Sequence, residues 1–335
     1  MRIIAFVNNN SGPSYHRIIM PLMTMKDVDV YITNNLLEEN FKKGCDIFMY
    51  NRVLPDHAME MIHKLQKQYG FKICVDIDDY WELDENHILY QLYLDEMFAG
   101  QQIEHLKCAD IVLTTHSRLA NEIIPFNKNV HICANAIPRQ GQFDITRDHS
   151  DLVRLFWQGS ITHGEDIMLL RTPIDRLANI AGKIRMVMGG YHEDEPEWRA
   201  MALIYTANAR HQYKLLGAQH VNEYYQMYKE ADICLVPLVN NKFNRMKSNL
   251  KVLEAANLGL PVIASNVHPY IGLPLLFCKH SGDWVQHVNR LIKSKKRQRE
   301  AGAELAEYCA EHYNFHKINA ERKEILEYEA SKISA

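Results

Sequence analysis

The chain lacks any paired-cysteine motif. Its seven cysteines (Cys45, Cys74, Cys108, Cys133, Cys234, Cys278, Cys309) are scattered and odd in number, with no Cys-x-x-Cys among them. Neither a zinc site nor a disulfide framework is indicated, and several sit in apolar runs where cysteine acts as a small hydrophobe. A reducing, cytoplasmic setting is the expectation. No run of 18 or more apolar residues exists, so no membrane span is expected, and the apolar stretch of MRIIAFVNNN is too short for a signal peptide. Charge of one sign is also lacking: 38 Lys and Arg stand against 41 Asp and Glu, a net −3. Any polyanion site is then a local patch and not a field of the whole molecule. There is no solenoid repeat, no low-complexity tract and no G-x-G-x-x-G, so a nicotinamide or flavin dinucleotide has no support.

What is present is alternation. Short apolar runs at Ile3–Val7, Val28–Ile32, Ile47–Tyr50, Lys72–Asp76, Ile111–Thr114 and Val130–Cys133 read as strands. Helical patterns at Tyr15–Met25, Ala58–Tyr69, Glu96–Lys107 and Arg118–Ile124 lie between them. That rhythm predicts βαβ units and a parallel sheet. Residues 136 to 150, AIPRQGQFDITRDHS, break it and read as a linker. A second alternation follows: strand Val153–Trp157, helix Asp166–Ile180, strand Ile184–Met188, helix Asn222–Lys229, strand Ile233–Pro237, helix Lys247–Leu258 and strand Pro261–Ala264. Helices are expected over 283–312 and 314–332, while 192–212 gives no clear pattern. At 335 residues two α/β domains are predicted, with a cleft between the C-terminal edges of their sheets.

Polar residues gather where that cleft is expected. After the first strand comes Asn8-Asn-Asn-Ser-Gly12-Pro-Ser-Tyr-His16-Arg17, a Gly-containing β–α loop that places His16 and Arg17 in the first helical turn, facing the cleft. The plain alternative is an ordinary turn with solvated charges. The fourth strand ends in Asp76-Ile-Asp78-Asp79, and three carboxylates there are costly unless bonded, paired or functional. One of them can cap the next segment; a metal-binding Asp-x-Asp is a competing use. Arg52 and His116 follow the third and fifth strands on the same edge. The second domain opens with Gly159-Ser160-Ile-Thr-His163, again a strand–Gly–helix junction with hydroxyl and imidazole groups suited to an anion.

The densest chemistry lies in NRMKSNLKVLEAANLGLPVIAS, residues 244 to 265. Lys247, Lys251 and Glu254 fall at i, i+4 and i+7 on one helical face. A helix opening with Lys247 and Ser248 and carrying a carboxylate two turns on suits a ligand with phosphates at one end and a ribose diol at the other. A solvated amphipathic helix is the plain alternative.

With these residues in place the chain resembles GT-B glycosyltransferases, close to the retaining family-4 type and to a phage and bacterial sub-branch of it. The segments VDIDDYWEL, ADIVLTTHSRLANEI, NAIP, FWQGSITHGEDIMLL, EADICLVPL and KSNLKVLEAANLGLPVIAS follow the family's order. The resemblance implies two doubly wound Rossmann-like domains facing across a cleft. Residues 1–140 would bind the acceptor and 150–313 the nucleotide sugar, with 314–335 returning to the first domain as a C-terminal helix. It further implies transfer of a hexosyl or pentosyl group from a nucleotide-diphosphate sugar, UDP-linked by expectation, to an acceptor hydroxyl, with retention and without a metal or other cofactor. Glu254 would hold the ribose hydroxyls, and Arg245, Lys247 and Lys251 would neutralise the diphosphate. Gly12, Arg17, Gly159, Ser160, His163 and Ser248 complete the expected donor site. His16, Asp78 and Asp79 are the candidates for chemistry at the acceptor. One position departs from the family: Met246 stands where a glutamate usually meets the donor sugar, which leaves that sugar open. The acceptor is a glycan or a hydroxymethylated base in phage DNA, the latter needing a rim such as Lys242, Arg245 and the basic run Arg290–Arg299. Two other readings remain: a metal-dependent GT-A-type transferase using Asp76 and Asp78, and a two-lobe small-ligand binding protein without turnover.

Overall fold

A computed structural model describes residues 1–7, 11–55 and 57–332, with the side chains of Gln142 and Ala181 left aside. Asn8 to Asn10 of the first loop, and the last three positions of the expected C-terminal helix, lie outside the described residues.

Two six-stranded parallel sheets dominate. The first contains β1 (Arg2–Phe6), β2 (Asp29–Thr33), β3 (Ile47–Asn51), β4 (Lys72–Ile77), β5 (Ile111–Thr114) and β6 (Val130–Ile132), in the order β2-β1-β3-β4-β5-β6. The second contains β7 (Val153–Gln158), β8 (Ile184–Tyr191), β9 (Gln212–Gly217), β10 (Ile233–Val236), β11 (Val262–Ser265) and β12 (Leu276–Cys278), in the order β12-β11-β10-β7-β8-β9. Strands such as Ile3–Ala5 and Ile47–Tyr50 are sealed on both faces, which is why they read as unbroken apolar runs. Each sheet reverses its winding once, at β1/β3 and at β7/β10. Those switch points open crevices above the C-terminal strand ends, where ligands of such sheets bind. The loops after β1, β3, β7 and β10 carry most of the polar residues discussed below.

Several elements differ from the sequence expectation for identifiable reasons. The helix expected over Tyr15–Met25 is a wide-turned segment, Ser14–Ile19, running into Met20–Met23. Pro21 cannot donate to the Arg17 carbonyl, so the helical ladder loosens there. Asp166–Ile180 is three pieces, Gly164–Met168, Arg171–Arg176 and Leu177–Lys183, because Pro173 cannot bond back to Leu169. The expected Asn222–Lys229 helix is a tighter 3₁₀ segment at Tyr224–Glu230. The unread stretch 192–212 begins a helix, Pro196–Tyr205, and leads into β9, whose edge position and exposed residues hide it from a pattern search.

The helix expected over Lys247–Leu258 shows the most consequential difference. It spans Leu250–Asn257, not Lys247–Leu258. The Met246 carbonyl, which a continuous helix would give to Leu250, instead accepts from His116 Nε2 of the first domain at 2.9 Å. Lys247 and Ser248 therefore sit in the turn before the helix, and only Lys251 and Glu254 share it. Met246 itself is buried, together with Phe243, among Tyr80 and Trp81 of the first domain. At the far end, helix Phe315–Ser331 returns to the first sheet: Leu326 is fully buried against Ile3, Ala5 and Ile18, and Asn319 donates to the Pro21 carbonyl at 2.9 Å.

Candidate active site

Between the sheets lies a cleft of about 530 Å³. Gly12, His16, Asp78 and Asp79 line it from the first domain; Gly159, Ser160, His163, Lys247, Ser248, Lys251 and Glu254 line it from the second. Those residues, which the sequence spreads over the chain, share one cavity. Two expected site residues do not. Arg245 is exposed and absent from the cleft wall. Arg17, expected to face the cleft, is only 1 % exposed and turned into the protein.

Arg17 has a structural task. Its Nε and one terminal nitrogen bind both oxygens of fully buried Asp76 at 2.9 and 2.8 Å, and its other nitrogen donates to the Cys133 carbonyl and Asn135 Oδ1. Asn135 in turn donates to Ser248 Oγ at 2.7 Å across the domain boundary. Asp78 and Asp79 are held from the other side. Arg52 donates to Asp78 through two nitrogens, at 2.8 and 3.0 Å, and to Asp79 at 2.8 Å. Asn51 Nδ2 joins Asp76 Oδ1 to Asp78 Oδ1. Although burial opposes it, the Arg52 charge and these hydrogen bonds hold the Asp78 carboxyl below its usual value. Asp76 and Asp78 thus spend their oxygens on arginines. Among the described residues no group of three or more His, Cys, Asp or Glu could hold a metal ion.

On the opposite wall Glu254 is 1 % exposed. One carboxylate oxygen accepts from the Tyr224 hydroxyl, the other from Tyr228 at 2.7 Å and from Gln158 Nε2 at 3.1 Å. Burial pushes its pKa up, with those donors and Lys251 opposing the shift. A carboxylate has about four acceptor positions, so one remains on the oxygen that Tyr224 shares. Tyr224 also spans the cleft. Its hydroxyl proton goes to Glu254, so His16 Nε2, 2.8 Å away, is the donor of that pair. Burial pulls His16 down to about 4, and its neutral ring keeps a buried Nδ1 without a partner among the described residues.

The cationic end is built around β7. Gly159 has no room for a side chain: a Cβ there would stand 2.8 Å from the Trp157 ring and 3.0 Å from the His163 ring. Gly190, at φ +92°, closes the same junction from β8. Lys251 Nζ lies 3.1 Å from His163 Nε2 and over the Trp157 ring. Burial and the neighbouring Lys247 lower its pKa to about 8. Lys247 approaches Asp79 from across the cleft at 3.9 Å. Two cations and a buried carboxylate therefore face an arginine-held pair of aspartates. Tyr224, Tyr228, Gln158 and Asn135 were not singled out from the sequence. The run EYYQMY before β10 is the one signal for the tyrosines.

Residues 153–294 match the family described as Glycosyl transferases group 1. No curated protein matches the chain by sequence. Among solved structures, the chain is similar to HepE from Anabaena, determined with UDP and glucose, at 12% identity and TM-score 0.64, covering 98% of this chain and 100% of that one. A glycosyltransferase from Rickettsia africae gives 12% identity and TM-score 0.63, covering 98% of each chain. TarM gives 12% identity and TM-score 0.59, covering 84% of this chain and 54% of that one. The fold is GT-B, and residues 153–294 of its second domain match the Glycosyl transferases group 1 description.

Proposed function

From a group 1 glycosyltransferase domain on a GT-B fold, we propose that the chain moves a sugar from a UDP-sugar to a glycan hydroxyl, with retention and without a metal. One observation carries this reading: Lys247, Lys251 and buried Glu254 stand on one wall of a single cleft, opposite Asp78 and Asp79. UDP and glucose in the HepE structure agree with a donor of that kind.

In this reading the diphosphate lies against Lys247, Lys251 and the Gly159–Ser160 junction. The ribose meets Glu254, one hydroxyl donating to its remaining acceptor position and the other reaching Tyr224. As the bond from the anomeric carbon to the phosphate oxygen breaks, the diphosphate leaves with the electron pair, and the two lysines stabilise that charge in place of a metal. The acceptor oxygen bonds to the anomeric carbon on the same face, and its proton passes to the departing phosphate oxygen. Asp78 and Asp79 accept hydrogen bonds from the acceptor and aim it. A carboxyl kept below its usual pKa by Arg52 is better suited to orienting a hydroxyl than to storing its proton.

The arginine pairs of Asp76 and Asp78 speak for metal independence and against the GT-A reading. The glycan is preferred to DNA because the basic rim that DNA needs is not assembled. Lys242 is engaged by Glu122 at 3.1 Å and by Tyr80, and Arg290 and Arg297 line a separate surface depression. A panel of nucleotide sugars with a mixture of glycan acceptors, run with and without EDTA, tests the proposal. Transfer from a UDP-sugar that survives EDTA is the expected result; transfer abolished by EDTA, or no turnover of any donor, would overturn it.

A further inference from the structure

Asp166 does not line the cleft, yet it is joined to the cleft's cationic end by two consecutive hydrogen bonds. It is 3 % exposed and anchored from three sides. One carboxylate oxygen accepts from His163 Nδ1 at 2.6 Å; the other accepts from the Val239 amide at 2.7 Å and from Asn244 Nδ2 at 3.4 Å. Val239 and Asn244 belong to the segment after β10, so Asp166 ties the loop after β7 to the loop beyond the switch point. The sequence signal is a carboxylate three positions after His163 in THGED, a spacing that also fits a plain helix cap.

The direction of each bond follows from the charge states. Burial and the two nearby lysines pull His163 down to about 4, so the ring is neutral and carries one proton. A nitrogen 2.6 Å from a carboxylate oxygen carries that proton, which makes Nε2 the acceptor. Lys251 Nζ, 3.1 Å away, donates to it. The order is carboxylate, imidazole, ammonium. We propose that Asp166 is a positioning residue for the Lys251 ammonium: it fixes the His163 ring so that its lone pair receives Lys251 and holds that ammonium where the donor diphosphate is to bind. The inference rests on the donor-site reading given above.

The groups facing Lys251 set the sign. From its own helix comes Glu254; from the preceding turn, Lys247; from the loop after β7, His163 and the Trp157 ring; from helix Gly164–Met168, Asp166. Of these, Asp166 is the largest influence favouring the charged form, while Lys247 and burial oppose it. Without the Asp166 charge, Lys251 gives up its proton at lower pH.

Calorimetric titration of the full chain with UDP between pH 7 and 10 is the test, with melting temperature recorded beside it. Wild-type affinity is expected to hold up to about 8 and to fall above it. In Asp166→Asn the fall begins at lower pH; for a shift of about one unit, affinity drops by about fivefold at pH 8 and by about tenfold further into the alkaline limb. Asp166→Asn combined with Lys251→Arg regains affinity at alkaline pH, because a guanidinium stays charged there; the same variant separates out any alkaline change that belongs to the uracil. Should Asp166→Asn not fold, His163→Phe leaves Asp166 its bonds to Val239 and Asn244 but removes the Nε2 acceptor through which Asp166 holds the Lys251 ammonium, and is expected to move the fall the same way. An unmoved alkaline limb in either variant, with only melting temperature altered, makes Asp166 merely structural and overturns the inference. Absence of UDP binding by the wild type at every pH removes the donor reading itself, and this inference with it.

Discussion

Arg17 and Asp76, 59 positions apart, form a two-bond ion pair with side chains 1% and 0% exposed. Arg17 lies in the helical segment that follows β1, and Asp76 lies near the end of β4. Because Arg17 points inward, its neighbour His16 is turned to the cleft wall, and the same guanidinium reaches Asn135 and through it Ser248. The expectation of a cleft-facing, donor-binding arginine is thus replaced by a strut that joins the first sheet to the turn carrying Ser248.

Removing one member of that pair leaves a buried charge uncompensated. Arg17→Met is expected to cost about 3–5 kcal/mol, whereas Arg17→Met with Asp76→Leu recovers much of it. Urea unfolding followed by tryptophan fluorescence reads the difference. Equal losses in the single and double variants would show that the charge pairing is not what matters.

Gly159→Ala probes the junction after β7. The added methyl meets the rings of Trp157 and His163, so one of them must shift, at about 1–3 kcal/mol. Because His163 carries Lys251, UDP affinity is expected to fall by about tenfold or more while the protein stays folded. Unchanged affinity would mean that the imidazole position is irrelevant to the nucleotide.

Asp78 makes stability depend on acid. Its folded-state pKa lies below the ordinary value, so its contribution is fully present above the unfolded carboxylate range and is lost as pH falls through the folded pKa. Melting temperature should decline as pH is taken below about 4, the ordinary carboxylate value. The decline should be shallower in Asp78→Asn, which has no such carboxylate to protonate. Parallel curves would contradict that sign.

Asp79→Asn separates the acceptor side from the donor side. The side chain accepts from Arg52, faces Lys247 at 3.9 Å and makes no hydrogen bond to Glu254 among the described residues. Transfer to the acceptor is expected to fall by about 100-fold with UDP affinity changed little. A matching loss in both would place Asp79 in donor binding instead.

Much of this architecture is legible in the sequence. Strands buried on both faces, such as Ile47–Tyr50, announce themselves as apolar runs, and β–α junctions with glycine mark the edge where ligands bind. Local pattern also brings out Lys251 and Glu254. What it does not carry is pairing across the chain. Nothing near Arg17 says that Asp76 will claim it, and nothing near Met246 says that His116 will take its carbonyl and delay the helix Leu250–Asn257 by a turn. β9 leaves no mark in the sequence because an exposed edge strand has no apolar signature, and neither does the role of Asp166, whose partners at Val239 and Asn244 lie more than 70 positions away.

In the proposed reading Glu254 holds the ribose of the donor. Calorimetric titration of UDP and 2′,3′-dideoxy-UDP into the wild type and Glu254→Gln tests it most directly. Hydrogen bonds to a charged partner are worth about 1.5–3 kcal/mol, so loss of the hydroxyls should weaken wild-type binding by about 10- to 100-fold. In Glu254→Gln that difference should shrink to a few-fold at most. If both nucleotides bind the wild type equally, or if the variant discriminates between them as well as the wild type does, Glu254 is not the ribose carboxylate.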